Sequence, residues 1–221
     1  MNLLDVIGPV MIGPSSSHTA GAVRLGLLAV SILGESPIKA DIALHGSFAQ
    51  TYRGHGTDMA LLAGLMGWMP DDARIPEADI YAEQKGLQYK FSTINLGELT
   101  HPNTVRFHLE GVTGKTCVVT GSSIGGGQVC VTEIDDFPVE LNGNLPGVLI
   151  VHQDRPGVIA LVSGKLSEYK VNIAGMRVFR TNKGGTATMI IECDQMVPEE
   201  ALKAIREIKN VESVRFINKV L

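Results

Sequence analysis

The run Gly13-Pro14-Ser15-Ser16-Ser17-His18-Thr19-Ala20-Gly21 sets several hydroxyls and an imidazole where an apolar stretch, Ala22 to Val30, begins. The first turn of a helix leaves backbone N–H groups unpaired and carries the positive end of the macrodipole, so it favours a carboxylate or a phosphate. One serine is enough to cap such a helix. Ser15, Ser16, Ser17 and Thr19 exceed that need, and both a ligand site and a serine-rich cap fit the composition. A second imidazole, His55, stands between two glycines in Gly54-His55-Gly56-Thr57-Asp58. Flanking glycines let the backbone approach a ligand and leave the ring uncovered. An unperturbed imidazole titrates near neutral pH, which suits a proton acceptor. The spacing puts His55 in a loop ahead of a helix starting near Asp58, as a solvated residue or a general base. Asp58 is suited to orient the imidazole or to cap that helix, and Thr57 competes for the cap.

Three more motifs follow: Gly46-Ser47-Phe48, His101-Pro102-Asn103-Thr104 and Ser123-Ile124-Gly125-Gly126-Gly127. Ser47 follows a strand end, where ligands are met and turn serines also occur. Asn103 reads equally as an exposed turn residue. The glycine run either turns backbone N–H groups toward an anion or makes a sharp hairpin. In this order the five motifs resemble the iron–sulfur L-serine dehydratases of bacteria, which use no pyridoxal phosphate, and among them the β subunit of the two-subunit form. The resemblance covers essentially the whole chain.

The resemblance implies an enzyme that, with an α subunit, converts L-serine to pyruvate and ammonia. The α-proton passes to His55, the hydroxyl leaves on iron, and the aminoacrylate tautomerises and hydrolyses. His55 and His18 are then the catalytic residues, with His18 binding substrate or serving as a second proton-transfer group. Ser15, Ser16, Ser17, Thr19, Ser47, Asn103, Ser123, Gly125 and Gly126 would surround the substrate. His101 has no assignment, and His45 and His108 read as structural. The implied cofactor is a 4Fe-4S cluster. Cys117, Cys130 and Cys193 are far apart and form no C-x-x-C pair, so no metal site is expected in this chain and the α subunit should hold the cluster. A pyridoxal-phosphate lyase would need a lysine placed for a Schiff base, and none stands in such a setting.

These motifs require an ordered frame. Helices are expected at about 19–33 and 58–65, with a weaker one near 81–85. Strands are expected at 40–44, 89–94, 105–110, 115–120 and 128–134. Helices first and strands afterwards give an α+β class, with the helices packed on a mostly antiparallel sheet. The resemblance adds a likeness to the allosteric-substrate-binding domain inserted in some phosphoglycerate dehydrogenases. The turn-rich stretch Leu141 to Gly147 divides the chain into domains 1–143 and 147–221. In the second, a strand (148–152), a helix (158–169, with Ile159, Val162 and Leu166 on one face), two strands (172–180 and 186–193), a helix after Pro198 and a last strand (211–218) give the ferredoxin-like order βαββαβ.

That second domain resembles an ACT domain, the amino-acid-sensing module of biosynthetic enzymes. The family's ligand pattern, His-x-Asn-Arg-Pro-Gly with a later Asn, reads here His152-Gln153-Asp154-Arg155-Pro156-Gly157 with Asn172. Asp154 in place of the amide would repel a ligand's carboxylate and attract its ammonium. The resemblance implies homodimerisation through this domain. The rival reading is a stand-alone ACT-domain amino-acid sensor, which would have no use for His55 among glycines.

The bulk composition agrees with a globular protein: 221 residues, 44% hydrophobic, 19% charged. A formal net charge of −4 without a basic run points away from nucleic acid. Apolar runs broken by glycine or charge, and an N-terminus without a basic segment, lead to the expectation of no membrane span, no leader and a cytoplasmic protein. Cysteine usage suits a reducing compartment.

Overall fold

A computed structural model describes residues 9–220; the extreme N-terminus, on which the leader expectation rests, lies outside them. The chain folds as two compact units, with the boundary between Asp136 and Phe137.

In the first unit a five-residue π turn, Ser16–Ala20, runs straight into helix α1, Gly21–Leu33. Eighteen residues are therefore continuous, Ser16 to Leu33, long and apolar enough by length and composition to cross a membrane. Gly21 and Gly26, expected to break the apolar run, do not interrupt the helix. Within the fold 61% of that stretch is buried, because Ala22, Val23, Leu25, Leu28, Ala29 and Ile32 pack inward; the stretch has the burial of a core helix. Strand β1, Pro37–His45, leads into α2, Gly46–His55, and α3, Thr57–Leu65. Then come α4, Ala78–Gln84, and strands β2 (Gln88–Thr93), β3 (Thr104–Gly111), β4 (Thr116–Gly125) and β5 (Gln128–Ile134). The strand order is β2-β1-β3-β4-β5. Only the β1–β2 pair is parallel; β1–β3, β3–β4 and β4–β5 are antiparallel. Helix α1 packs on β4 and β5 and is crossed by α3. The crossing is close because it is made of glycines: a β-carbon on Gly26 would stand 2.7 Å from the Leu61 carbonyl oxygen.

Helix α2 was not anticipated. It buries only Phe48, so its sequence carries no 3.6-residue apolar repeat to reveal it. Gly46 starts it at φ 57°, pressed against Pro102, where a β-carbon would lie 2.6 Å from the carbonyl oxygen. Gly56 ends it in the left-handed region, φ 66°, a conformation glycine adopts without a Cβ penalty. His55 is thus the last residue of a helix and not a loop residue, and Ser47 lies in a helix rather than a turn.

The second unit begins with a short strand β6, Phe137–Leu141, also unforeseen. The motif β7 (Gly147–Gln153), α5 (Val158–Glu168), β8 (Ile173–Arg180), β9 (Thr186–Cys193), α6 (Glu199–Arg206) and β10 (Val211–Ile217) follows. It forms a four-stranded antiparallel sheet of order β10-β7-β9-β8, so the ferredoxin-like βαββαβ arrangement holds. Helix α5 buries Val158, Val162 and Leu166 against Val148, Ile150, Met189 and Ile191. Each such side chain contributes about 1.5–3 kcal/mol on burial. Ile159, placed on that face by spacing, is 45% exposed: the stripe begins one residue earlier. Helix α6 buries Ala201, Leu202 and Ile205 and carries Glu199 and Glu200 in its first turn, where the dipole favours them.

Candidate active site

Ser15 opens the π turn by accepting the His18 backbone N–H on Oγ at 3.2 Å. The Thr19 N–H then reaches the Ser15 carbonyl at 2.8 Å, and Gly21 closes a wide turn onto the Ser16 carbonyl. Such π turns inside helices occur often at functional sites. Gly21 has to be glycine, since a β-carbon there would meet Ser123 Oγ at 2.0 Å. One serine, Ser15, does the capping; Ser16, Ser17 and Thr19 are left for other work.

The His18 ring lies 3.3 Å from Ser47 Oγ through Nε2 and 3.4 Å from Ser15 Oγ through Nδ1. The Phe48 ring packs against it in a T-shaped arrangement, centroids 5.2 Å apart. The His55 ring lies 4.8 Å away, tilted by 39°. One helix, α2, therefore supplies Ser47 near its start and His55 at its end, and His18 touches both. Burial first, and the neighbouring His55 second, lower the His18 pKa, which favours the neutral ring of His18.

The loop before β3 and the end of β4 complete the cluster. The Phe48 N–H reaches the Pro102 carbonyl at 3.3 Å, and the Ser123 N–H reaches the Asn103 carbonyl at 2.9 Å. Thr104 Oγ1 and Ser122 Oγ share a 2.6 Å hydrogen bond beside them. Asn103, Ser123, Ser47 and the π turn are thereby brought together. Gly125, Gly126 and Gly127 form the β4–β5 hairpin, all with positive φ, so the hairpin requirement for glycine is met. His101 Nδ1 accepts the Asn103 N–H at 3.2 Å. His45 Nδ1 accepts the Leu96 N–H at 3.2 Å, while His108 is an exposed β3 residue.

Buried polar groups normally have a hydrogen-bond partner, and several here have none. Among the described residues, Thr19 Oγ1, His55 Nδ1, Thr57 Oγ1, Asn103 Oδ1 and Ser123 Oγ are such atoms, all on these same elements. Beside them a cavity of about 310 Å³ is lined by Gly13, Pro14, Thr19, His55 and Gly56, with Ile12, Met59, Ile75 and Pro76 as an apolar wall. Neither Asp58 nor Thr57 caps α3: Gly56 occupies that position, and Asp58 Oδ1 accepts the Met59 N–H at 3.0 Å. Nor does Asp58 bond the imidazole. Burial, the largest effect, raises its pKa.

Arg24 was missed by sequence reading. Its Nη1 donates to the Gly127 carbonyl at 2.5 Å, and its Nε is buried without a partner. The available signal was one arginine inside an otherwise uncharged helix.

A cluster finds no cradle in the described residues, where no three His, Cys, Asp or Glu side chains stand together. Cys117 and Cys193 are buried, in β4 and β9, and burial pushes the Cys193 thiol up to about 11, far from the thiolate that iron requires.

In the second unit His152 is buried, with Nε2 unpartnered. Asp154 is not the unopposed carboxylate expected. Its Oδ2 takes Arg180 Nη1 at 2.9 Å and the Gly184 N–H at 3.1 Å, and these bonds lower its pKa. Asn172 Nδ2 is held by Asp194 Oδ2 at 2.5 Å. The register puts Asp154 beyond the Gln153–Thr186 end of the sheet and Asn172 beyond the Gly147–Glu192 end. Six residues of strand separate those ends, about 20 Å. One copy cannot bring both side chains to one amino acid.

Residues 3–134 match the serine dehydratase beta chain family, and residues 147–210 match the ACT domain family. The chain is 41% identical over 210 residues to the probable L-serine dehydratase, beta chain, of Bacillus subtilis, covering 95% of this chain and 94% of that one. The chain belongs to the serine dehydratase beta chain family. A second member of the family, the L-serine dehydratase, beta chain, of Peptoniphilus asaccharolyticus, is 37% identical over 213 residues, with 96% of each chain covered. The D-3-phosphoglycerate dehydrogenase of Methanocaldococcus jannaschii is 29% identical over 201 residues, which span 89% of this chain and 37% of that enzyme. The family's likeness to part of a dehydrogenase thus extends across most of both units.

Proposed function

We propose that this chain is the β subunit of an L-serine dehydratase and, with an α subunit that carries a 4Fe-4S cluster, converts L-serine to pyruvate and ammonia. The observation that carries the reading is the pair of imidazoles 4.8 Å apart at the π turn, with His55 Nδ1 buried and unpartnered beside a cavity. A stand-alone sensor would have no use for that pair. The described residues do not fit the cluster, so loss of the β-hydroxyl is assigned to the α subunit.

The chain's own groups account for the rest. Unpaired N–H groups at the start of an eighteen-residue helix, with Ser16, Ser17 and Ser123, hold the substrate carboxylate. His55 Nδ1 receives the α-proton, in the tautomer with Nε2 protonated. His18, kept neutral and fixed between Ser15 and Ser47, adds no second positive charge beside the imidazolium that forms. Aminoacrylate then tautomerises to the imine, and water releases ammonia and pyruvate. The apolar wall of Ile12, Met59, Ile75 and Pro76 limits water around His55. The ACT unit pairs with a second copy: the separation of Asp154 and Asn172 supports a ligand site completed by two chains, with His152 beside it.

Reconstitution of the full chain with a cluster-carrying serine dehydratase α chain tests the reading. Anaerobic, iron-dependent formation of pyruvate from L-serine is expected from the mixture and from neither chain alone. Turnover by this chain without a partner would overturn the division of labour.

A further inference from the structure

Arg24 follows the His18 turn by less than two helical turns and is the one charged residue of α1. Its guanidinium is half-buried, and desolvation is the one effect acting on its pKa. No carboxylate pairs with it among the described residues. A desolvated cation without a counter-charge costs stability, so the helix would be better served by an apolar side chain unless the arginine has another task. Its contacts show that task. Nη1 grips the Gly127 carbonyl at 2.5 Å, and a β-carbon on Gly127 would stand 2.9 Å from the same nitrogen. The hairpin backbone is therefore pressed onto the guanidinium. Just before the hairpin on the same strand, Ser123 is wholly buried with its hydroxyl against Gly21 and unpartnered. One side chain fixes the hairpin that carries Ser123 relative to the turn that carries Ser16 and Ser17.

We propose that Arg24 is the positioning residue for the carboxylate end of the site: it seats the Ser123–Gly127 hairpin on α1, so that the Ser123 hydroxyl and the hairpin N–H groups close with the Ser16–Ala20 turn around the carboxylate of the amino-acid substrate. The proposal rests on the reading of the chain as a serine dehydratase subunit. Both segments present hydrogen-bond donors and positive potential, which suit an anion and repel an ammonium group.

Arg24→Met and Arg24→Lys in the full chain test it at two levels. In the chain alone, amide hydrogen exchange over residues 125–128 should quicken about tenfold or more in Arg24→Met, while the melting temperature stays level or rises because the desolvated charge is gone. In the complex with the α chain, KM for L-serine should rise about tenfold, the loss expected for hydrogen bonds to a charged group. kcat should stay within about threefold, inhibition by L-serinamide, which lacks the carboxylate, should not move, and Arg24→Lys should restore part of the KM. Unchanged exchange, unchanged KM, an equal weakening of serine and serinamide, or a fall in melting temperature would each overturn the proposal. An inactive wild-type complex would overturn the functional reading and this proposal with it, whereas unchanged exchange in the chain alone overturns the proposal by itself.

Discussion

Gly64→Ala should destabilise the first unit and disturb its site together. A β-carbon at Gly64 would stand 2.1 Å from the Val23 carbonyl oxygen, 2.9 Å from Gly26 Cα and 3.0 Å from the Val23 carbonyl carbon. All three are backbone atoms, so no rotamer change relieves the contact. Helices α1 and α3 must part by roughly 1 Å, and overpacking of this kind costs about 1–3 kcal/mol or more. The better helix propensity of alanine returns at most about 1 kcal/mol. The net loss, about 1–2 kcal/mol, lowers the melting temperature by about 3–8 °C for a unit of this size. Gly54→Ala is the control: nothing lies within 4 Å of its β-carbon, and it should gain up to about 1 kcal/mol. Melts followed by circular dichroism compare the two. Because α1 carries the His18 turn and α3 follows His55 through Gly56, parting the helices also stretches the 4.8 Å ring contact, and turnover in the complex should fall with stability. A Gly64→Ala chain that melts at or above the wild type would refute the close crossing.

Asp58 has its pKa raised, first by burial; a raised carboxyl contributes stability below the unfolded value and loses it as pH rises through the folded one. Asp58→Asn should therefore be more stable than wild type near neutral pH, with the gain vanishing in acid; denaturant titrations at several pH values check it, and a less stable variant at neutral pH contradicts it. His18 has its pKa lowered, by burial and then His55, so its contribution is complete above the ordinary histidine value of 6.5 and fades as pH falls through the folded value. His18→Asn should flatten that limb of the stability profile, and an unchanged limb would assign it elsewhere. Asp154→Asn removes the acceptor charge for Arg180 and Gly184, and faster amide exchange at Gly184 is expected; unchanged exchange would mean the β8–β9 hairpin stands without it.

The sequence revealed the second unit almost completely because its apolar residues repeat at the periods of the strands and helices that bury them. Thr186 to Cys193 and its neighbours carry the core themselves. The first unit was less legible where position and not periodicity decides structure. Helix α2 buries a single side chain, Phe48, and is bounded by two glycines whose role is conformational, so it passed for loop and took Ser47 and His55 with it. The site residues could be named because hydroxyls, imidazoles and glycines cluster in short runs. Their mutual geometry could not, since it depends on which turns touch: Gly21 against Ser123, Gly46 against Pro102, and His18 reaching across to α2. Asp154 shows the same limit in reverse. Its type suggested a charge opposing a ligand, and only the fold supplies Arg180 as its counter-ion.

His55, with the His18 ring 4.8 Å away, is proposed to accept the α-proton of serine. The decisive quantity is kcat of the reconstituted two-chain complex carrying His55→Ala, with cluster content and circular dichroism matched to wild type. Loss of a general base lowers the rate by about 10²–10⁴-fold, and exchange of the serine α-hydrogen with deuterated solvent should disappear with it. A variant that keeps near-normal kcat, or still exchanges the α-hydrogen, would rule out that role and leave His55 as no more than the end of a helix.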